Sequence, residues 1–428
     1  MSEEEVRRAG VLKRVKVGEL TQVEAAAMLG LSYRHVKRIY RRFFQEGAKG
    51  LVHRSAGKPS NRARRPEERK KILGLVRKHY GGGPGERFGP TLAAEHLQED
   101  HGIAVDAETL RRWMLEEGLW TRERKRKPYR QRRARRGHFG ELVQMDGSFE
   151  SWLEERGPRG CLIHMVDDAT STSLAIFDEE ETTWGVADTL RQWVVEYGIP
   201  RALYVDWKSV YHQAPTRRQR EEGVIPISQF GRMCQKLGIE LIGANSPQAK
   251  GRVERGHGTH QDRLIKKMRL QKISTYEAAN AFLSDGYLAQ HNGRYAVAPR
   301  EAADFHLPVP RRFDLEQVFC LEEERIVSSD WVVQYGKRWL QIEEDGQKVR
   351  VAPGTTVTMR EHRDGSLSMW LGRTRLRWHE VAERPRKPSP AAKDRRLVRT
   401  PVAASHPWRQ PFSAAQQGQG AAAKNQTP

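Results

Sequence analysis

Three acidic residues stand where an apolar run of the sequence gives way to a turn or a helix. Asp146 lies in the strand-like "VQMDGS", Asp206 closes the apolar "ALYV", and Glu254 falls near the start of the helix-like "KGRVERGHGTHQDRL". A carboxylate beside a buried strand is costly to desolvate unless it is paired or bound to a cation, and ligands of α/β proteins gather at strand ends. If the three acids converge they repel one another, and divalent metal relieves that repulsion. Mg2+ prefers oxygen ligands and keeps positions open for phosphate. Two such ions about 3.5–4 Å apart activate a water or a 3′-hydroxyl and stabilise the leaving oxygen in phosphoryl transfer; Mn2+ can stand in for either. Each acid also has an ordinary reading: Asp146 before Gly147 as a turn residue, Asp206 as a helix cap, Glu254 as an i,i+4 partner of Lys250. Asp167 and Asp168 are rival acids, but the "ATST" that follows marks them as turn residues.

The elements that must position these acids follow from the periodicity. After Gly137, "ELVQMDG" and "CLIHMVDDATSTSLAIFDEE" read as three strands, the last two joined by a polar turn. "TTWGVADTLRQWVVEYG" reads as an amphipathic helix capped by Thr182 or Thr183 and ended at Gly198. The strand "RALYVD", a charged insertion "APTRRQREEGVIP", the helix "ISQFGRMCQKLG" and the strand "IELIGAN" come next. Three strands followed by alternating helices and strands predict a mixed α/β sheet layered by helices over residues 138–285. A connector is expected over 286–316. Over 317–384, short alternating strands separated by "EDGQ" and "RDGS" predict a small β-barrel, and the Pro-, Ala- and Gln-rich 385–428 a disordered tail.

Upstream the pattern is all-α. In 1–50, Thr21 is positioned to cap a short helix with Val23, Ala26, Ala27 and Leu29 on its packed side. Gly30-Leu31 turns the chain, and Ser32 caps a second helix whose outer face carries Arg34, Lys37, Arg38 and Arg41. This is a helix-turn-helix that enters a major groove, or, more plainly, a helical hairpin with a solvated basic face. After a linker at 51–66, residues 67–121 predict a second helix-turn-helix or winged-helix unit, with a helix restarting at Asp106. In the linker 122–137, "RERKRKPYRQRRARR" holds ten Lys/Arg against one Glu, so it cannot pack and is expected as a solvated arm along phosphates or a plain spacer.

The 428 residues carry a formal net charge of +21, which favours a polyanionic partner, nucleic acid or an anionic surface. No apolar run is long enough to span a bilayer, and "MSEEEVRRAG" lacks the apolar stretch of a signal peptide. Cys161, Cys234 and Cys320 lie far apart and form no CxxC pair, which argues against a cysteine-based zinc knuckle or disulfide framework. A cytoplasmic nucleic-acid protein is expected.

At the three acids the sequence resembles the DDE transposase and retroviral-integrase superfamily, and more narrowly bacterial insertion-sequence transposases of the ISNCY type. The matching words are "DGSFESWLEERGP", "LYVDWKSVY", "SPQAKGRVERGHGTHQDRL" and "CLEEERIVSSDWVVQY". The resemblance implies a ribonuclease H-like catalytic core with Asp146, Asp206 and Glu254 as the metal-binding catalytic triad, two Mg2+ ions and double-stranded DNA as substrate. It implies Lys250, Arg252, Arg255 and His257 as DNA contacts; Arg252, Arg255 and Arg263 either thicken the basic wall or are merely solvated. It implies cleavage and strand transfer at the ends of the protein's own element, a homo-oligomer that pairs those ends, and a nucleoid-associated life in a bacterial cytoplasm. The spacings between the acids are 60 and 48 residues, the second lengthened by the charged insertion, and Trp207-Lys208 stands where the superfamily often has Asn-Gly. A DNA-binding regulator without catalysis, or a ribonuclease H-like nuclease without strand joining, are the alternatives.

Overall fold

The computed structural model describes residues 2–53, 56–57, 64–83, 85–121, 133–244, 250–311, 313–344, 346, 349–382 and 403. Most of the arginine-rich arm and of the C-terminal tail lie outside the described residues. Two compact units are formed, Met1–Arg130 with Thr259–Gln271, and Gln131–Gly258 with Lys272–Pro428.

In the first unit, α1 (Glu3–Val17), α2 (Gln22–Leu29) and α3 (Tyr33–Glu46) enclose Leu12, Ala25, Ala26, Val36, Ile39 and Leu51. Thr21 caps α2 in a reciprocal capping box with Glu24, Gly30 ends it in the left-handed conformation, and Ser32 caps α3 through the His35 amide. The packed side of α2 differs from the sequence expectation. Val23 and Ala27 are exposed, and Ala25 is buried with Ala26 in the shared core. A second trio follows: α4 (Pro66–His79), α5 (Pro90–His101) and α6 (Ala107–Glu116), with α6 capped by Asp106 and a core of Ile72, Val76, Tyr80, Phe88, Leu92, Leu97, Leu110 and Met114.

The second unit is built on a five-stranded sheet in the order β3-β2-β1-β4-β5. β1 (Val143–Glu150), β2 (Gly160–Asp167) and β3 (Ser173–Asp178) run antiparallel in sequence, while β4 (Ala202–Val205) and β5 (Glu240–Gly243) are parallel to β1. α7 (Thr183–Glu196) joins β3 to β4; α8 (Arg217–Glu221) and α9 (Gln229–Leu237) join β4 to β5. Val143, Met145, Leu203 and Val205 share a core with Leu190, Trp193, Phe230 and Met233 of α7 and α9. Because side chains alternate along a strand, Gln144 and Asp146 point to the opposite face, toward α10 (Gly251–Leu270). This mixed sheet with its flanking helices is the ribonuclease H-like arrangement expected from the sequence.

The open edge of β3 is closed by two asparagines from α11 (Tyr276–Phe282) and α12 (Leu288–Tyr295). Asn280 accepts from the Phe177 amide at 2.7 Å and donates to its carbonyl at 2.9 Å; Asn292 does the same at Ser173, at 2.8 and 2.9 Å. Each carboxamide replaces a missing strand neighbour and removes a template for edge pairing.

The C-terminal strands form two sheets rather than the expected closed barrel. β6 (Leu321–Ile326), β9 (Thr356–Glu361), β10 (Leu367–Leu371) and β11 (Thr374–Leu376) make one, in the order β11-β10-β9-β6. β7 (Val332–Tyr335), β8 (Arg338–Ile342) and β12 (Trp378–Val381) make the other. No ladder joins them among the described residues: β6 is committed to β9 and β7 to β8, and the two sheets instead share a core of Val333, Leu340, Val357, Met359, Met369 and Leu376.

Candidate functional site

Sheet register explains the first acidic spacing. β1 and β4 pair in parallel with Val143 opposite Leu203 and Gln144 opposite Tyr204, an offset of 60 positions, and 60 positions also separate Asp146 from Asp206. Continued for two residues, that register sets the two carboxylates level on neighbouring strands, with Asp206 immediately after the end of β4. They meet at one point. The Lys250 ammonium lies 2.9 Å from Asp146 Oδ1 and 2.7 Å from Asp206 Oδ1. Its side chain is only 5% exposed, against 16% for Asp146 and 38% for Asp206. Neither approach has the angular geometry of a hydrogen bond, so the ammonium acts as a point charge between two carboxylates.

A second cation and a third carboxylate stand beside this pair. Lys208 Nζ is 2.6 Å from Glu181 Oε2 and 3.8 Å from Asp146 Oδ1, and the Tyr211 hydroxyl donates to Glu181 Oε1 at 2.6 Å. Burial pulls the Lys208 pKa down, but the hydrogen bond and charge of Glu181, with Asp146 and Asp206, outweigh it and leave the pKa raised. Burial, then the Glu181 charge, pushes the Tyr211 hydroxyl far above its ordinary range and the Cys161 thiol up to about 12. Gly147 makes room for this cluster: a Cβ there would sit 2.7 Å from the Glu181 carboxyl carbon and 2.8 Å from Cys161 Sγ.

The start of α10 is fixed to the sheet by side chains. Gln144 Oε1 accepts from the Arg252 and Val253 amides at 3.2 and 3.1 Å, satisfying two of the N–H groups that a first helical turn leaves open. Its Nε2 donates at 2.8 Å to Asp168 Oδ1, which also receives Arg252 Nε at 2.8 Å and a guanidinium N–H of Arg133; Asp168 Oδ2 accepts from the Arg136 amide at 2.8 Å. Further along α10, Gly256 passes over His164, where a Cβ would lie 2.5 Å from Cε1 of the imidazole. His257 is buried against the same ring, 5.3 Å between centroids, within reach of the Asp146 charge. Burial holds the His257 pKa below the ordinary imidazole range, against the pull of Asp146.

The predicted site residues thus separate. Asp146 and Asp206 come together. Glu254, one turn beyond Lys250, is exposed on α10, and among the described residues no group of three acid, histidine or cysteine side chains is assembled closely enough to hold an ion. Three of the expected DNA contacts, Lys250, Arg252 and His257, are buried or mostly buried in this structure. Lys250 neutralises the aspartates, Arg252 (13% exposed) is spent on buried Asp168, and His257 faces Asp146. Arg263 is likewise in a bidentate pair with Glu95, at 2.6 and 2.9 Å. Arg255, and Arg34, Lys37, Arg38 and Arg41 on α3, are exposed. Asp168 stands in the expected turn, but as the buried hub of an ion-pair network.

Glu181, Lys208, Tyr211 and Gln144 were not predicted. Glu181 ends the run "DEEE", which reads as a solvated turn, and Gln144 looks like any polar residue of an alternating strand. Only Lys208, two residues after Asp206, offered a signal.

Helix-turn-helix units and a ribonuclease H-like sheet whose neighbouring strands present a cation-bridged acid pair define a nucleic-acid-processing protein. A homeodomain-like domain model matches residues 35–114, and a helix-turn-helix domain model residues 7–60. The putative transposase y4bF of Sinorhizobium fredii is 38% identical over 375 residues, covering 87% of this chain and 80% of that protein. The transposase for insertion sequence IS1202 of Streptococcus pneumoniae is 26% identical, over 95% of this chain and 93% of its own. The chain belongs to the transposase family, and with its helix-turn-helix matches it is a DNA-binding transposase. Solved structures matched over parts of the chain include the HTLV-2 integrase catalytic core domain in complex with magnesium (17% identity, 34% of this chain and 84% of that one, TM-score 0.27). Another is the simian T-cell lymphotropic virus intasome in complex with PP2A regulatory subunit B56 gamma (13% identity, 68% and 96%, TM-score 0.32). No helix among the described residues is long and apolar enough to cross a membrane.

Proposed function

We propose that this transposase binds the terminal inverted repeats of its insertion sequence, cleaves a DNA strand there, and joins the freed 3′-hydroxyl to target DNA by direct transesterification, with no covalent protein–DNA intermediate. The observation that carries this reading is the Asp146–Asp206 pair, two carboxylates level on adjacent strands and turned toward one positive charge. Such a donor set of hard oxygens around a cation fits Mg2+, or Mn2+ in its place. Asp146, Asp206 and Glu254 would hold the metal, two ions in all. When bound, it supplies Lewis acidity and charge neutralisation for phosphoryl transfer.

The chain's own residues do the positioning. Lys208 balances Glu181 and Asp146, and Gln144 with Asp168 and Arg252 orients the helix that carries Glu254. His257 supports Asp146 from behind as a neutral ring. Arg34, Lys37, Arg38 and Arg41 of α3 would hold the duplex, with Arg255 as a further phosphate contact and the arginine-rich arm along the backbone. Pairing two element ends calls for a homo-oligomer working on chromosomal DNA in the bacterial cytoplasm.

The test uses the full chain and a duplex carrying an element end. Mg2+-dependent nicking at the end and joining to a target plasmid are expected, both abolished by Asp206→Asn with end binding retained. Binding without cleavage would instead define a regulator, and cleavage without joining a nuclease.

A further inference from the structure

We infer that Lys250 is a tethered stand-in for the metal: its ammonium holds Asp146 and Asp206 together in the metal-free protein and must leave before a divalent ion can sit between them. The inference rests on the proposed metal-dependent reading of the same site. It starts from position. The ammonium lies within 3 Å of both aspartates, and its side chain is almost completely buried, so the two acids are already aimed at a shared cation. Two carboxylates facing one point in a partly dry site repel unless a positive charge lies between them. Lys250 supplies that charge from the same segment that leads into α10.

Position says that it cannot stay when metal arrives. The ammonium occupies the point toward which Asp146 and Asp206 are both turned, so an ion bound there must replace it, and an ion bound beside it would set an ammonium against a dication. The two lysines differ in which can move. Lys208 is hydrogen-bonded to Glu181, whereas the Lys250 ammonium faces the two aspartates without a hydrogen bond of good angular geometry. A lysine leaves by rotating a flexible four-carbon stem, and Glu254 follows it by one helical turn.

Removing the ammonium should therefore tighten metal binding even with no DNA present. If the lysine-in state makes up nine-tenths or more of the free protein, apparent affinity is lowered by at least about tenfold. The experiment measures Mn2+ binding to the DNA-free full chain by calorimetry, for wild type, Lys250→Met, Lys250→Gln and Asp206→Asn. Expected are an affinity at least about tenfold tighter in Lys250→Met and Lys250→Gln, and loss of binding in Asp206→Asn. Melting without metal gives a second readout: Lys250→Met should melt below wild type and recover more than wild type when Mn2+ is added. Equal or weaker Mn2+ binding in both Lys250 variants, with wild-type binding still lost in Asp206→Asn, would overturn the stand-in role and leave the metal reading intact. Wild-type binding that is indifferent to Asp206→Asn would overturn both.

Discussion

Asp168→Asn is the sharpest test of how the candidate site is held. The side chain is fully enclosed and receives Arg252 Nε, Gln144 Nε2 and the Arg136 amide, each at 2.8 Å, together with Arg133. An asparagine keeps the shape but removes the negative charge, and its NH2 turns a donor toward other donors. Breaking a buried ion pair on one side costs about 3–5 kcal/mol, because the surviving charge is left uncompensated. Arg252 is mostly buried and cannot recover this in water. Urea unfolding, followed by tryptophan fluorescence on the transition of the unit that contains the sheet, should show that loss as a lower midpoint at unchanged slope. A cycle with Arg252→Met separates pair from packing: the double variant should recover at least about 1 kcal/mol relative to the sum of the single losses. A loss below about 1 kcal/mol for Asp168→Asn, or strict additivity in the cycle, would refute the claim that this network anchors α10.

Two further outcomes are expected. Glu322 binds Arg232, Lys236 and Arg360, and its backbone exchanges hydrogen bonds with the Gln229 side chain, so it ties α9 to β6 and β9. Burial raises its pKa, but the Lys236 hydrogen bond and the three cations outweigh that and leave it lowered. A lowered acid contributes stability above its unfolded pKa and loses it as pH falls through the folded value. Glu322→Gln should thus cost about 1.5–3 kcal/mol at pH 7, and the gap to wild type should close as pH falls from about 4.3 through the lower folded value; a gap unchanged at pH 3 contradicts the ion-pair account. On α3, Arg38 is exposed on the face opposite buried Val36 and Ile39. If Arg38→Ala is assayed on element-end DNA across a salt series, binding should weaken and the log–log salt slope should fall by about one; an unchanged affinity removes Arg38 from the DNA-binding surface.

Much of the fold was legible because the determinants are local. Thr21, Ser32, Asp106 and Thr182 each cap the helix that follows, and the strands around Asp146 and Asp206 announce themselves by apolar runs. The barrel was less legible, since alternation specifies strands and turns but not which edges pair. Within the site, position along the chain located acids at strand ends and could not say what they touch. Lys250 and Arg252 look alike in a basic stretch, yet one faces two aspartates and the other faces Asp168. That difference is decided by β1, where Gln144 and Asp146 share one face and divide the start of α10 between them.

The third acid stands on a different kind of element. Asp146 lies in β1 and Asp206 directly follows β4, two paired strands whose register is fixed by backbone hydrogen bonds and by the apolar core on the opposite face. Glu254 belongs to a helix whose start is held to that sheet by side chains, Gln144 and Asp168 at its first turn and His164 beneath Gly256 and His257. Placing Lys250 and Glu254 one turn apart lets a single segment carry both the cation that quiets the aspartates and the carboxylate that would join them. Changes at Gln144 or Asp168 should therefore reach the metal affinity of the site without touching a metal ligand.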